Sequence, residues 1–178
     1  MKKLFFFILA LLAFSSASAL AGLKIKTVLK PGTKMPEENV FDGFGCTGKN
    51  ISPEIQWSGA PKDTKYFALT VYDPDAPTGS GWWHWLAFNM PPTATKLAAN
   101  ASKDGMPEGT VQSKTDFGKP GYGGPCPPKG HKTHHYIFRV FALKAKIDLD
   151  EEASPAMVGY YLNQNKLAEA AVTFTYKR

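Results

Sequence analysis

The chain has 178 residues, 21 Lys and Arg against 15 Asp and Glu, a net charge of +6 and two cysteines. This length suits one ordinary domain, and the lysines are scattered rather than blocked, so no basic stripe points to nucleic acid. Beyond the amino terminus no apolar run approaches the roughly 20 residues of a membrane-spanning helix.

Lys2 and Lys3 precede the unbroken apolar run Leu4–Phe14, and the small residues Ser15, Ser16, Ala17, Ser18, Ala19, Leu20 and Ala21 follow. That order predicts a secretory signal peptide over residues 1–21, cleaved after Ala19 or Ala21. The run is too short to stay as an anchor, and no cysteine follows the cleavage site to take a lipid. Cleavage leaves residues 22–178 as a single domain. Its net charge falls from +6 to +4 as Lys2 and Lys3 leave, and its expected address is the Gram-negative periplasm or the medium.

Period-2 alternation then marks the strands. Leu23, Ile25, Thr27 and Leu29 share one face of the first. Tyr66–Tyr72 is β-branched and aromatic and stops at Asp73-Pro74, and His84–Asn89 is a second aromatic strand. Tyr136, Phe138, Val140 and Ala142 alternate with Ile137, Arg139, Phe141 and Leu143, the pattern of a central strand. Before the last strand, in which Ala170, Val172, Phe174 and Tyr176 alternate, lies one helix. Ser154 caps it and Pro155 opens it. Met157, Val158, Tyr161 and Leu162 form its core stripe, and Asn163–Lys166 are expected to fray. The segments 40–52, 74–82 and 117–133 are long and rich in Gly and Pro, which makes them the expected working surface. The aromatic content fits a homodimer interface or a well-filled core.

Candidate chemistry clusters in those loops. In Asp73-Pro74-Asp75-Ala76-Pro77 the prolines preset the backbone and hold a carboxylate at a rim. In Gly81-Trp82-Trp83-His84-Trp85 alternation turns His84 away from Trp83 and Trp85. If the two strands pair, Asp73 approaches His84, orients the imidazole and raises its pKa. The run Gly121-Tyr122-Gly123-Gly124-Pro125-Cys126-Pro127-Pro128 has a backbone suited to exposing N–H groups to an anion. His134 and Tyr136 share a face at i, i+2 and make a donor pair. His131-x-x-His134-His135 lacks a third ligand, so neither metal nor other cofactor is expected. Cys46 and Cys126 are either bridged or free; an exported address and an even count favour the bridge. A bridge closing that loop is worth about 4 kcal/mol on a chain-entropy estimate.

Taken in order, Asp73-Pro74-Asp75-Ala76-Pro77, Trp83-His84-Trp85, and Gly124-Pro125-Cys126-Pro127-Pro128-Lys129-Gly130 with His134-x-Tyr136 resemble one signature. It is that of the phosphatidylethanolamine-binding proteins, also called Raf-kinase-inhibitor-like proteins. The compact Thr78–Trp85 loop is similar to the bacterial branch. The resemblance implies a mainly β fold: a large antiparallel central sheet, a smaller second sheet and a few peripheral helices. It also implies a small pocket for phosphate, acetate or a phosphoethanolamine-like head group. That pocket is built from Asp73, Pro77, His84, the Cys126, Pro127 and Pro128 region, His134 and Tyr136, with Trp83 and Trp85 framing it. Cys126 departs from the smaller residue of animal relatives.

Asp73 should repel an anion. It either stays ionised and keeps His84 charged, shares a proton with the ligand, or meets a ligand ammonium. No Gly-x-Ser-x-Gly elbow occurs, so binding without turnover is expected, with family members also acting as kinase or protease inhibitors. The rival is a hydrolase using Cys126, His134 and Asp73, which requires Cys126 to be a free thiolate.

Overall fold

The computed structural model describes residues 22–178, and the expected signal peptide lies outside the described residues. Ten strands alternate with little helix: β1 (Lys24–Thr27), β2 (Asp42–Gly43), β3 (Cys46–Thr47), β4 (Ile55–Ser58), β5 (Tyr66–Asp73), β6 (Trp82–Met90), β7 (Lys96–Leu97), β8 (Val111–Gln112), β9 (His134–Leu143) and β10 (Lys166–Tyr176). The helices are α1 (Ala101–Asp104), α2 (Pro155–Asn165) and a 3-10 turn at Glu37–Asn39. The large sheet runs β10-β9-β5-β6-β8 and is antiparallel throughout. A second sheet runs β1-β4-β7, and β2 and β3 form a two-residue-per-strand hairpin. The mainly β architecture with a large and a smaller sheet is the one expected from sequence.

Alternation decides what each face of the large sheet buries. Phe67, Leu69 and Val71 of β5 join Phe138 and Val140 of β9 and Trp85 of β6 on one face. The second sheet covers them with Ile55, Trp57 and Leu97, joined by Leu23 just ahead of β1. The opposite face carries Ala68, Leu86, Phe88, Phe141 and Leu143 beneath Val158 and Leu162 of α2. Burial of each such side chain contributes about 1.5–3 kcal/mol.

The helix keeps its cap, since the Ser154 hydroxyl accepts from the Met157 N–H at 3.3 Å. Its stripe is narrower than expected. Val158 and Leu162 are buried, whereas Met157 is 48% exposed, because one residue turns about 100° round a helix. Nor does the end fray: Asn165 donates to the Tyr161 carbonyl at 2.9 Å and the chain passes straight into β10.

Two bulges interrupt the β5–β6 ladder. Phe67 faces Met90 while Leu69 faces Ala87, and the extra residue is accommodated at Asn89, with φ of +62°. Asn89 bonds both ways to the Ile147 backbone at 2.8 Å. Val71 faces Trp85 while Tyr72 faces Trp83, so His84 is the inserted residue of the second bulge. That insertion cancels the alternation expected across Trp83-His84-Trp85. Trp85 drops into the core beneath the second sheet, and Trp83 packs with the cluster on the opposite face. No helix among the described residues is long and apolar enough to cross a membrane.

Candidate functional site

The strand ends and the three long loops enclose a cavity of about 210 Å³. Asp73 is the last residue of β5, and His134 and Tyr136 open β9 beside it, all three on the face covered by the second sheet. The loop after β5 adds Ala76, Pro77 and Thr78, β6 adds Trp82 and His84, and the third loop adds Phe117, Cys126, Pro127 and Pro128. Phe44 closes the rim from the turn of the β2–β3 hairpin.

Eight of the ten expected site residues thus line one cavity. Trp83 and Trp85 do not: the His84 bulge sends Trp85 into the core, where its indole N–H donates to Gln112 Oε1 at 2.7 Å. Trp83 packs at a tilt against Tyr72, with ring centroids 4.5 Å apart. Trp82 takes the rim position instead, edge-on to Phe117 at 5.5 Å.

At the base of the cavity, Asp73 holds two groups. Its Oδ1 accepts the Asp75 N–H at 2.8 Å, closing the turn that the prolines stiffen. Its Oδ2 accepts from His134 Nδ1 at 2.7 Å, with both side chains almost fully buried. His134 Nε2 in turn lies 2.7 Å from His131 Nδ1. Asp73, His134 and His131 therefore form one hydrogen-bonded chain leading outward from a buried carboxylate.

The expected Asp73–His84 pairing does not form. His84 Nδ1 donates to the Gly123 carbonyl at 2.6 Å, and the Gly123 N–H returns a bond to the His84 carbonyl at 2.8 Å. Complete burial lowers the His84 pKa to about 4, against smaller upward pulls from the Gly123 carbonyl and Asp73. The imidazole is therefore neutral at pH 7, the reverse of the expected imidazolium, because desolvation outweighs a carboxylate engaged elsewhere. With the proton on Nδ1, Nε2 is an acceptor.

Tyr136 stands edge-on to His84 with ring centroids 5.1 Å apart. Burial above all, then the Asp73 charge, pushes its phenol pKa up, so its hydroxyl is a donor at any physiological pH. Beside the chain, Asp75 is held down to about 2, chiefly by Lys132 Nζ at 2.5 Å and also by His135.

The glycine run shapes the wall and spends its donors internally. Gly124 N–H goes to Asn50 Oδ1 at 2.7 Å and Gly123 N–H to His84, so neither is free for an anion as expected. Gly124 has to be glycine, since a Cβ there would sit 2.0 Å from the Asn39 carbonyl oxygen. Cys126 is bonded to Cys46 across 80 residues, which takes from the hydrolase alternative the thiolate it requires. The same bond ties the loop to the hairpin that carries Phe44. That ring is 67% exposed at φ of +50° and lies 5.8 Å from Phe117. Arg178 adds a second tie, donating to the carbonyls of Pro127, Gly45 and Phe44 at 2.5, 2.9 and 3.2 Å.

Sequence patterning does not single out Phe44, Trp82 and Phe117. Their one signal was aromatic residues among glycines in loops already marked as the working surface. For His131 the sequence suggests only a poor metal ligand.

A family model described as phosphatidylethanolamine-binding protein matches residues 26–177. The chain is 52% identical to YbcL of Escherichia coli K12, over 96% of this chain and 94% of that protein. With YbhB of the same organism it shares 50% identity, covering 84% of this chain and 96% of the other. The crystal structure of E. coli YbcL, described as a new member of the mammalian PEBP family, superposes with a TM-score of 0.86 at 51% identity. That match covers 89% of this chain and 99% of the other.

Proposed function

The chain belongs to the phosphatidylethanolamine-binding protein family, and from that premise we propose that it binds a small phosphorylated or carboxylate ligand without turning it over. One observation carries the reading. A neutral acceptor at His84, the Tyr136 hydroxyl donor and the Asp73–His134 pair converge on one cavity with a rigid rim. A monoprotonated phosphate suits that set, its P–OH donating to His84 Nε2 while an anionic oxygen accepts from the Tyr136 hydroxyl. A phosphoethanolamine-like head group adds an ammonium that can meet the Asp73 charge. Action on a protein partner as an inhibitor or modulator rests on the family alone.

The test is an NMR titration of residues 22–178 with inorganic phosphate, acetate and phosphoethanolamine in turn. Saturable shifts at His134 and Tyr136 are expected, and their absence with all three would end the reading.

We further propose export to the periplasm with loss of residues 1–21, supported by the amino-terminal pattern and by a disulfide, which suits an oxidising compartment. An intact mass from a periplasmic extract should place the new amino terminus at Leu20 or Gly22. Uncleaved chain in the cytosol would contradict it.

A further inference from the structure

The large sheet has a second cavity on the face turned away from that site, where alternate residues of the same strands point. Arg139 of β9 stands opposite Thr70 of β5, and both line a space of about 240 Å³ between the sheet and α2. Trp83, Phe141 and Leu162 give it apolar walls, and Lys166 stands at its edge. We propose that this cavity is a binding site for a small organic anion, a carboxylate on a planar apolar body, separate from the site of Asp73 and His134.

Three observations converge on it. Arg139 is half-buried, yet among the described residues no carboxylate lies within ion-pair distance of its guanidinium. The one acidic side chain lining the cavity, Glu169, is already paired with Lys166 at 2.8 Å, so the lining keeps an uncompensated positive charge. A guanidinium fork matches a carboxylate by two parallel hydrogen bonds, and a half-buried one is screened less than a surface charge.

Gly159 supplies the third. It lines the cavity from within α2, where glycine weakens a helix relative to alanine. A Cβ at this position would meet nothing within 4 Å, so neither packing nor backbone conformation requires glycine there. What its missing side chain leaves is open space in the helical wall of the cavity that Arg139 also lines. Trp83, Phe141 and Leu162 offer apolar surface for a flat ring.

Benzoate is the probe, followed by amide NMR on residues 22–178, with inorganic phosphate titrated separately. Benzoate should produce saturable shifts at Thr70, Arg139 and Leu162. Arg139→Gln should weaken that binding roughly tenfold or more, the loss expected for a charged hydrogen-bonded pair. Phosphate-induced shifts at His134 and Tyr136, if any occur, should be unchanged by it. Gly159→Gln, which adds a side chain to the helical wall of the cavity, should weaken benzoate similarly and serves as the second variant should Arg139→Gln fail to fold. Benzoate shifts confined to the His134 region would overturn the proposal. So would unchanged affinity in a folded variant, or concentration-dependent shifts at Arg139 without probe, which would mark a self-association face. None of these outcomes depends on whether the first site binds phosphate.

Discussion

Asp73 and His134 are joined at 2.7 Å although the β5–β9 ladder ends one residue short of Asp73, at the pair Tyr72 and Ile137. The contact is therefore made by side chains reaching past the end of the sheet, and it anchors the start of β9 to the end of β5. Asp73→Ala would leave His134 Nδ1 buried without its acceptor. The expected loss is roughly 1–3 kcal/mol of stability, read from urea unfolding. Phosphate affinity should fall with it.

Tyr136→Phe should behave in the opposite way. Among the described residues its hydroxyl has no hydrogen-bond partner, so its removal should change stability by less than about 0.5 kcal/mol. The affinity for phosphate or phosphoethanolamine should drop roughly ten- to a hundredfold, as expected for one lost hydrogen bond to a charged group. Unchanged affinity by calorimetry would remove Tyr136 from the ligand set.

The pH dependence of stability should report His84. Its folded pKa of about 4 lies below the ordinary 6.5, so the unfolded chain takes up the proton first as pH falls. The stabilising contribution is whole above pH 6.5 and is lost between 6.5 and about 4, by roughly 3 kcal/mol in total. Asp75, lowered from 3.8 to about 2, loses its contribution only below that window. Urea midpoints at pH 7 and pH 4.5 should converge in His84→Asn relative to the parent chain. An equal slope in both would exclude His84 as the titrating group.

Reducing the Cys46–Cys126 bond should destabilise the chain by up to about 4 kcal/mol on the chain-entropy account, given the 80-residue separation. Cys46→Ser should show the same loss, compared by unfolding with and without reductant. A change below about 1 kcal/mol would mean that the unfolded chain is already compact across this loop.

The long strands were legible because eight to eleven residues of alternation leave a clear period. The hairpin β2–β3 and strands β7 and β8 are two residues each, too short to carry any period, and they went unseen. The site was legible as a set of loops and as motif residues, but not as pairings. One inserted residue at His84 exchanged the roles of Trp82 with those of Trp83 and Trp85. The partner of Asp73 depended on how far β9 overran β5, which is a property of register and not of either segment.

The Cys46–Cys126 bond also bears on how material is prepared for any ligand screen. Chain made in a reducing cytosol has the rim of Phe44 and Pro127 held by the Arg178 hydrogen bonds without the covalent link. Affinities measured on such a preparation describe a laxer mouth than the one the oxidised protein presents. Two laboratories using different expression compartments would then disagree over ligand selectivity while working on the same amino-acid sequence.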